Sequence, residues 1–377
     1  TEPGKKRGYP GHQEIELALV KLFRATGVQK YLRLAKYFVD ERGKKPHYFD
    51  EEAVARGDDP ANYWAKTHAY TQSDMPVREQ SVPVGHAVRG MYLYCAMADL
   101  AVEYNDAALL AACKRIFAHT VGKRMYITGG LGSTKANEGY TEDYDLPNDT
   151  AYAETCAAIG LVFFAHRLLQ IERDAKYADI LERALYNNVL SGVSLSGGRF
   201  FYENPLASRG DHRRWQWHHC VCCPPNVTRL LASLGSYAYS HSDAEIFVHL
   251  YVSGRARFHL RDGEVEFRQQ TEYPWDGKIA LTVEQAIGVA FSLSLRIPGW
   301  CRQASVTING TAVADLPGEK GYAKLQRRWQ PGDVVELLLE MPVEVVEAHP
   351  AVRQSAGRVA LQGGPLVYCL DEADNGK

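Results

Sequence analysis

Five residues in two short stretches of this sequence carry thiols or a carboxylate at spacings that could hold a metal ion. The stretch "HHCVCCPPN" (218–226) places Cys220, Cys222 and Cys223 close together, after two histidines and before two prolines. The stretch "YAETC" (152–156) adds Glu154 and Cys156. On a regular helix these two side chains diverge, but at a helix start both can reach one ion. With Cys222 and Cys223 they supply three thiolates and one carboxylate, a full tetrahedral shell for zinc. Sulfur ligands favour Zn²⁺ over Mg²⁺ or Ca²⁺. The spacing is not that of a zinc finger. A strained disulfide between the adjacent cysteines, inert core thiols and a redox pair of Cys222 with Cys223 all stay open as alternatives.

Other residues could serve chemistry nearby. Glu138 lies in the loop "STKANEGYTEDYD", where glycine lets backbone approach a ligand, although a loop glutamate is commonly just solvated. His12 in "YPGHQE" and His86 in "PVGHAVRG" open apolar helical patterns, as capping residues or as ligand-binding ones. Tyr202 in "RFFYENPL" and Trp217 in "WQWHH" either wall a pocket or pack. "TGGLGSTK" lacks the Gly-Lys-Ser/Thr ending of a phosphate loop, which argues against nucleotide binding. Asn226 and Asn309 head glycosylation sequons, but the first sits beside the cysteines, a poor place for an exposed glycan.

The elements that must position these residues fall into two halves. The 377 residues suffice for more than one domain, and 46% hydrophobic with 23% charged residues suits a soluble globular protein. A net charge of -2 gives no electrostatic reason for a nucleic-acid or anionic-membrane partner. No uninterrupted apolar run reaches bilayer-spanning length, and no signal peptide opens the sequence. Residues 1–241 read as helical. In "HQEIELALVKLFRATG", Ile15, Leu19, Leu22 and Phe23 share a face and Gly27 suits the stop. "PVGHAVRGMYLYCAMADLAVEY" and "TAYAETCAAIGLVFFAHRLLQIERD" are apolar nearly all round, as buried helices are. "PPNVTRLLASL" starts a helix with two prolines in its first turn. Residues 242–377 change to a period of two, in "EIFVHLYVSG", in "VAFSLSLRIPGW" from Val289, and in "DVVELLLEMPVEVVE", which reads as one strand. Asn309-Gly310 marks a hairpin turn. Cys95, Cys113, Cys301 and Cys369 read as small buried hydrophobes.

Taken in order, "YPGHQEIELALVKLF", "PVGHAVRGMYLY", "TGGLGST…EGYTEDYDLPND", "YAETCAAIG", "LERALYNNVLSGVS" and "CVCCPPNVTRLLASL" resemble glycoside hydrolase family 127, whose best-known member type is the β-L-arabinofuranosidase. The resemblance runs from about Gly8 to the end of the chain. It implies a mainly α fold, a partial (α/α)₆ barrel over residues 1–241, followed by an all-β sandwich domain over 242–377. It also implies an internal piece that lacks the first barrel helices and part of the β region.

Carried onto this sequence, the family pattern makes Glu154, Cys156, Cys222 and Cys223 the ligands of a Zn²⁺ cofactor. Cys222 becomes the nucleophile and Glu138 the general acid/base, while His12, His86, Tyr202 and Glu182 bind the sugar. The implied partner is a small carbohydrate, an arabinofuranosyl oligosaccharide or glycoconjugate, with neither nucleic acid nor membrane, and a homodimer is compatible with it. The alternatives are another rare plant-cell-wall sugar as substrate, or a non-catalytic carbohydrate-binding piece that zinc staples. Unpaired zinc-binding thiols suit a reducing compartment, hence a cytoplasmic location.

Overall fold

The computed structural model of the chain describes residues 5–286, 290–314, 316 and 318–375. Val289, expected to begin one strand alternation, lies outside them. Packing divides the chain into two units. The first comprises residues 1–171, 188–226 and 348–357; the second comprises 172–187, 227–347 and 358–377. Residue 242, where the period changes, is therefore not a single cut in the packing. Residues 172–187 side with the β half because their helix packs on a sheet there: Ala175 forms a cluster with Phe247 and Tyr322.

In the first unit, α1 (Ile15–Thr26), α2 (Gln29–Glu41), α3 (Tyr48–Arg56), α4 (Ala87–Glu103) and α5 (Ala107–Lys123) lead to α6, which begins at Thr155 and runs to Glu172. Gly27 ends α1 in the left-handed conformation, with its N–H on the Phe23 carbonyl. The buried face of α1 differs from the expected one. Ile15 and Leu22 are exposed, whereas Glu16, Leu17, Leu19 and Val20 are buried. The cause is an ion pair: Glu16 and Arg42 are both about fully buried and lie 3.3 Å apart, so a charged residue claims the inner face.

The helices α4 and α6 are buried nearly all round, as their composition requires. They meet closely at Gly160, where a Cβ would stand 2.6 Å from the Met91 Cβ. Although α6 has the length and apolarity of a membrane-crossing helix, 72% of that stretch is buried inside the protein. Helix α5 is anchored to the long loop before α6. Asp143 pairs with His119 (2.7 Å), Arg124 (2.8 Å) and Lys123 (3.1 Å).

The second unit contains α7 (Ala175–Ala184), most of α8 (Cys223–Ser233) and three sheets. A five-stranded sheet takes, in spatial order, Tyr239–His241, Glu245–Val248, Ala290–Arg296, Tyr322–Arg328 and Gly318–Glu319. A six-stranded sheet takes Gly254–Leu260, Gly263–Thr271, Lys278–Ala286, Val334–Leu339, Ala304–Ile308 and Thr311–Ala312. Alternate residues of both, including Leu293, Leu295, Phe267 and Leu281, join one hydrophobic cluster around Trp329. Asn309 and Gly310 form the expected hairpin turn, both at positive φ. The segment expected as one strand is two: Val334–Leu339 belongs to the six-stranded sheet and Val343–Glu347 to a separate three-stranded one. Cys95 and Cys113 are buried as expected, but Cys301 is half-buried and Cys369 exposed.

Candidate active site

The start of α6 is held by side chains that the sequence did not single out. The Asn204 amide donates to the Ala153 carbonyl (2.8 Å) and to Thr155 Oγ1 (3.0 Å). Thr155 in turn donates its N–H to the Tyr202 carbonyl and its hydroxyl to the Phe201 carbonyl. These bonds tie the segment carrying Tyr202 to the segment carrying Glu154. On the other side α8 begins at Cys223, with Pro224 and Pro225 in its first turn. Two helix N-termini, each with its positive dipole end, thus meet at the cysteines and favour thiolate.

The four expected ligands converge here. Their ligand atoms lie within 4.8 Å of one another. The Sγ atoms of Cys156 and Cys223 are 3.5 Å apart, and those of Cys222 and Cys223 are 3.8 Å apart. Glu154 Oε1 lies 3.5 Å from Cys222 Sγ and 3.8 Å from Cys223 Sγ. Zinc bonds of about 2.3 Å to sulfur and about 2.0 Å to oxygen, at tetrahedral angles, span about 3.8 Å between sulfurs and about 3.5 Å from sulfur to oxygen. The donor set matches those edges. A disulfide needs about 2.0 Å, so all these cysteines are free thiols. Glu154 Oε2 is buried with no hydrogen-bond partner, a cost that a bound cation would remove.

The thiols shift one another through their mutual hydrogen bonds. Hydrogen bonds from Cys156 and Cys223 hold the Cys222 thiol far below the ordinary cysteine range. Bonding to Cys222 raises Cys156, and bonding to Cys156 raises Cys223. Burial, with Cys222 adding, raises Glu154. Cys222 is the least buried of the three.

Glu138 faces this cluster from the loop before α6. Its Oε2 lies 3.3 Å from His86 Nε2 and accepts a hydrogen bond from the Tyr152 hydroxyl at 3.1 Å. Ligand atoms of His86, Glu138 and Glu154 also lie within 4.8 Å of one another. The loop is bridged to the start of α4: Ala87 N–H donates to the Glu138 carbonyl, and Gly139 pairs with His86. Gly139 is needed there, since a Cβ would sit 1.7 Å from the Gly85 carbonyl oxygen. The His86 hydrogen bond lowers the Glu138 carboxyl, with burial opposing it. Gly85 and Asn137, which flank this pair in sequence, line a hollow of about 210 Å³ with Tyr70 and Tyr140.

His12 stands edge-on to His86, with ring centroids 6.0 Å apart. The residue is exposed overall, but partial desolvation of the ring, then Arg89, lowers its pKa. Tyr202 packs edge-on against Tyr152, and its hydroxyl lies 4.0 Å from Cys220 Sγ. Burial, then Glu154, keeps that phenol protonated. His218 stacks on Tyr202 at 4.5 Å, which explains one histidine of the pair, while Trp217 is largely exposed. Asn226 is buried and donates to the Tyr92 hydroxyl at 2.7 Å, so its sequon is not a surface site.

The remaining residue expected to bind sugar is Glu182. It belongs to the second unit, where it is buried, ion-paired with Arg296, and accepts the Tyr273 hydroxyl at 2.7 Å. Both partners meet the same carboxylate oxygen, Oε1.

Residues 1–236 match the β-L-arabinofuranosidase GH127 catalytic domain, 245–341 its middle domain, and 343–377 the glycoside hydrolase family 127 C-terminal domain. The chain belongs to glycoside hydrolase family 127. This family 127 chain is 38% identical, over 99% of its length, to the non-reducing end β-L-arabinofuranosidase of Bifidobacterium longum subsp. longum, and covers 59% of that protein. The crystal structure of a GH127 β-L-arabinofuranosidase from Geobacillus stearothermophilus T6 matches it with a TM-score of 0.96 at 50% identity, over 100% of this chain and 61% of the other. A second solved GH127 β-arabinofuranosidase gives 0.90 at 41% identity, over 99% and 58%. The chain thus spans about three-fifths of the length of these relatives.

Proposed function

We propose that this chain carries the active site of a zinc-dependent retaining β-L-arabinofuranosidase, built on part of an (α/α)₆ barrel and followed by a β-sandwich. The observation that carries the reading is the convergence of Glu154, Cys156, Cys222 and Cys223 on one point, with Glu138 and His86 facing it. Glu154 and the three cysteines would hold the zinc, which when bound keeps their sulfurs as thiolates.

In this reading the Cys222 sulfur attacks the anomeric carbon, and the glycosidic oxygen leaves with a proton from Glu138. The glutamate then takes a proton from water as that water attacks the same carbon, the carbon–sulfur bond breaks, and the sugar leaves with retained configuration. Glu138 is held ionised by His86 in the free protein, so substrate must return its proton. A sugar hydroxyl that draws the His86 hydrogen bond onto itself would do so, and the water excluded with it would push in the same direction. His12, His86 and Tyr202 supply the hydrogen bonds that orient the sugar. The reduced thiols favour a cytoplasmic setting.

The test is turnover of an aryl β-L-arabinofuranoside, with zinc content measured on the same samples. Cys222→Ser and Glu138→Ala should each lower turnover at least about 10³-fold. Full activity in Cys222→Ser refutes the nucleophile. An inert wild type that still binds zinc and sugar favours another rare sugar as substrate or a non-catalytic role.

A further inference from the structure

A second group of metal-ligand residues stands in the first unit, on α3 and on the short turn His68–Thr71. His47, Asp50 and His68 each offer a ligand atom, and these atoms lie within 4.8 Å of one another. His47 is only 7% exposed. The two imidazoles are stacked, with centroids 3.5 Å apart and planes 17° apart.

The contacts at each Nε2 are compatible with hydrogen on that nitrogen. His47 Nε2 lies 3.0 Å from the Ser73 carbonyl oxygen, which can only accept. His68 Nε2 lies 3.1 Å from an Asp50 carboxylate oxygen, which also only accepts. The Ser73 and Tyr9 hydroxyls stand beside the same His47 nitrogen, at 3.0 and 3.4 Å, and their hydrogens can turn to suit either tautomer. With hydrogen on both Nε2 atoms, both Nδ1 atoms are bare lone pairs. Each Nδ1 is buried and has no hydrogen-bond partner. His47 stays neutral: burial, then the neighbouring His68, lowers its pKa to about 4. Metal-binding histidines characteristically donate their far nitrogen to a carbonyl or carboxylate, which frees the near one for the ion. Both rings here have that arrangement.

We infer that His47 and His68, with Asp50 beside them, form a second cation site for a divalent transition metal such as zinc, nickel or copper, the ions that imidazole ligands suit. The rings bind through Nδ1, the Asp50 carboxylate offsets charge, and water fills the open positions. Lone pairs lie in the ring planes, so binding tilts the rings out of their stack toward a common point. The ion would tie the His68 turn to α3. That turn leads into Tyr70, whose ring stands edge-on to His86 at 5.6 Å. The site thus braces the wall beside the His86–Glu138 pair without touching substrate. It shares no residue with the cysteine cluster, and it stands whether or not the chain is a glycosidase.

The test titrates the reduced, metal-free chain with Co²⁺ alone, following bound cobalt by equilibrium dialysis and by absorption. The cysteine cluster reports itself through thiolate-to-cobalt charge transfer in the near ultraviolet, which a histidine and carboxylate site lacks. Wild type should bind two equivalents, the second without growth of that band. His68→Ala should keep the band and weaken the second equivalent at least about 10-fold, and Asp50→Asn should weaken it about 10-fold. A wild type that binds one equivalent, or a second equivalent unchanged in both variants, overturns the inference. If His68→Ala also loses the thiolate band through misfolding, the half-exposed Asp50→Asn decides.

Discussion

Gly139→Ala isolates the loop that carries Glu138 from the cysteine cluster it faces. The added Cβ would stand 1.7 Å from the Gly85 carbonyl oxygen and 2.9 Å from His86 Cα, both backbone atoms that no rotamer change can move aside. An ordinary carbon–oxygen contact is about 3.3 Å, so relief needs a shift of roughly 1.6 Å between the loop and the start of α4. Such a shift breaks the 3.3 Å contact between Glu138 and His86. Misplacement of a catalytic group by about 1 Å costs on the order of 100-fold in rate. The strain itself costs about 1–3 kcal/mol of stability. The starts of α6 and α8 are untouched, so zinc should still bind. The assay is kcat on an aryl β-L-arabinofuranoside, with metal content and a melting curve on the same sample. The expected result is a kcat about 100-fold lower with metal retained. Activity within about threefold of wild type, in a folded protein, would refute the close-approach argument. Loss of zinc together with activity would show that loop and cluster are one mechanical unit.

Further outcomes follow from other contacts. Glu182→Gln removes one of the two carboxylates that pair with the buried Arg296, leaving Asp179, and should cost about 1.5–3 kcal/mol, read by denaturant unfolding; if sugar affinity falls while stability holds, the structural role is wrong. Asp143 is buried enough to raise its pKa, but bonds from His119, Arg124 and Lys123 outweigh this and depress it strongly. A depressed carboxylate stabilises the fold above its unfolded pKa of about 3.9 and loses that contribution as pH falls toward its folded value. Asp143→Asn should therefore cost about 2 kcal/mol at pH 7, with the gap to wild type closing progressively below about pH 4. A gap that persists undiminished at pH 2 contradicts this. Chelation of metal from the reduced protein should abolish turnover and lower the melting temperature, with Zn²⁺ but not Mg²⁺ restoring both.

Chain order and residue chemistry alone determined much of this protein. Helices apolar on every side had to be interior, and α4 and α6 are, because no exposed orientation hides such a surface. Gly27, the two prolines that open α8, and the Asn309-Gly310 turn follow from local φ and ψ preferences. That Glu154, Cys156, Cys222 and Cys223 form one cluster able to hold a metal was legible from sulfur chemistry together with the ordered family motifs. Tertiary structure decided the rest, because it depends on partners far away in sequence. Which face of α1 turns inward was set by Arg42 pairing with Glu16, against the apolar stripe of the helix itself. Nothing near Glu182 in sequence announces its partners Arg296 and Tyr273, about a hundred residues on. Tyr152 and Asn204 gave no signal at all, since a tyrosine that holds Glu138 and an asparagine that anchors a helix start look like any others. His47, Asp50 and His68 became a cluster only when a turn twenty residues along folded back onto α3. Local periodicity records what each element must bury, whereas the pairing of charges and lone pairs is settled only when the elements meet.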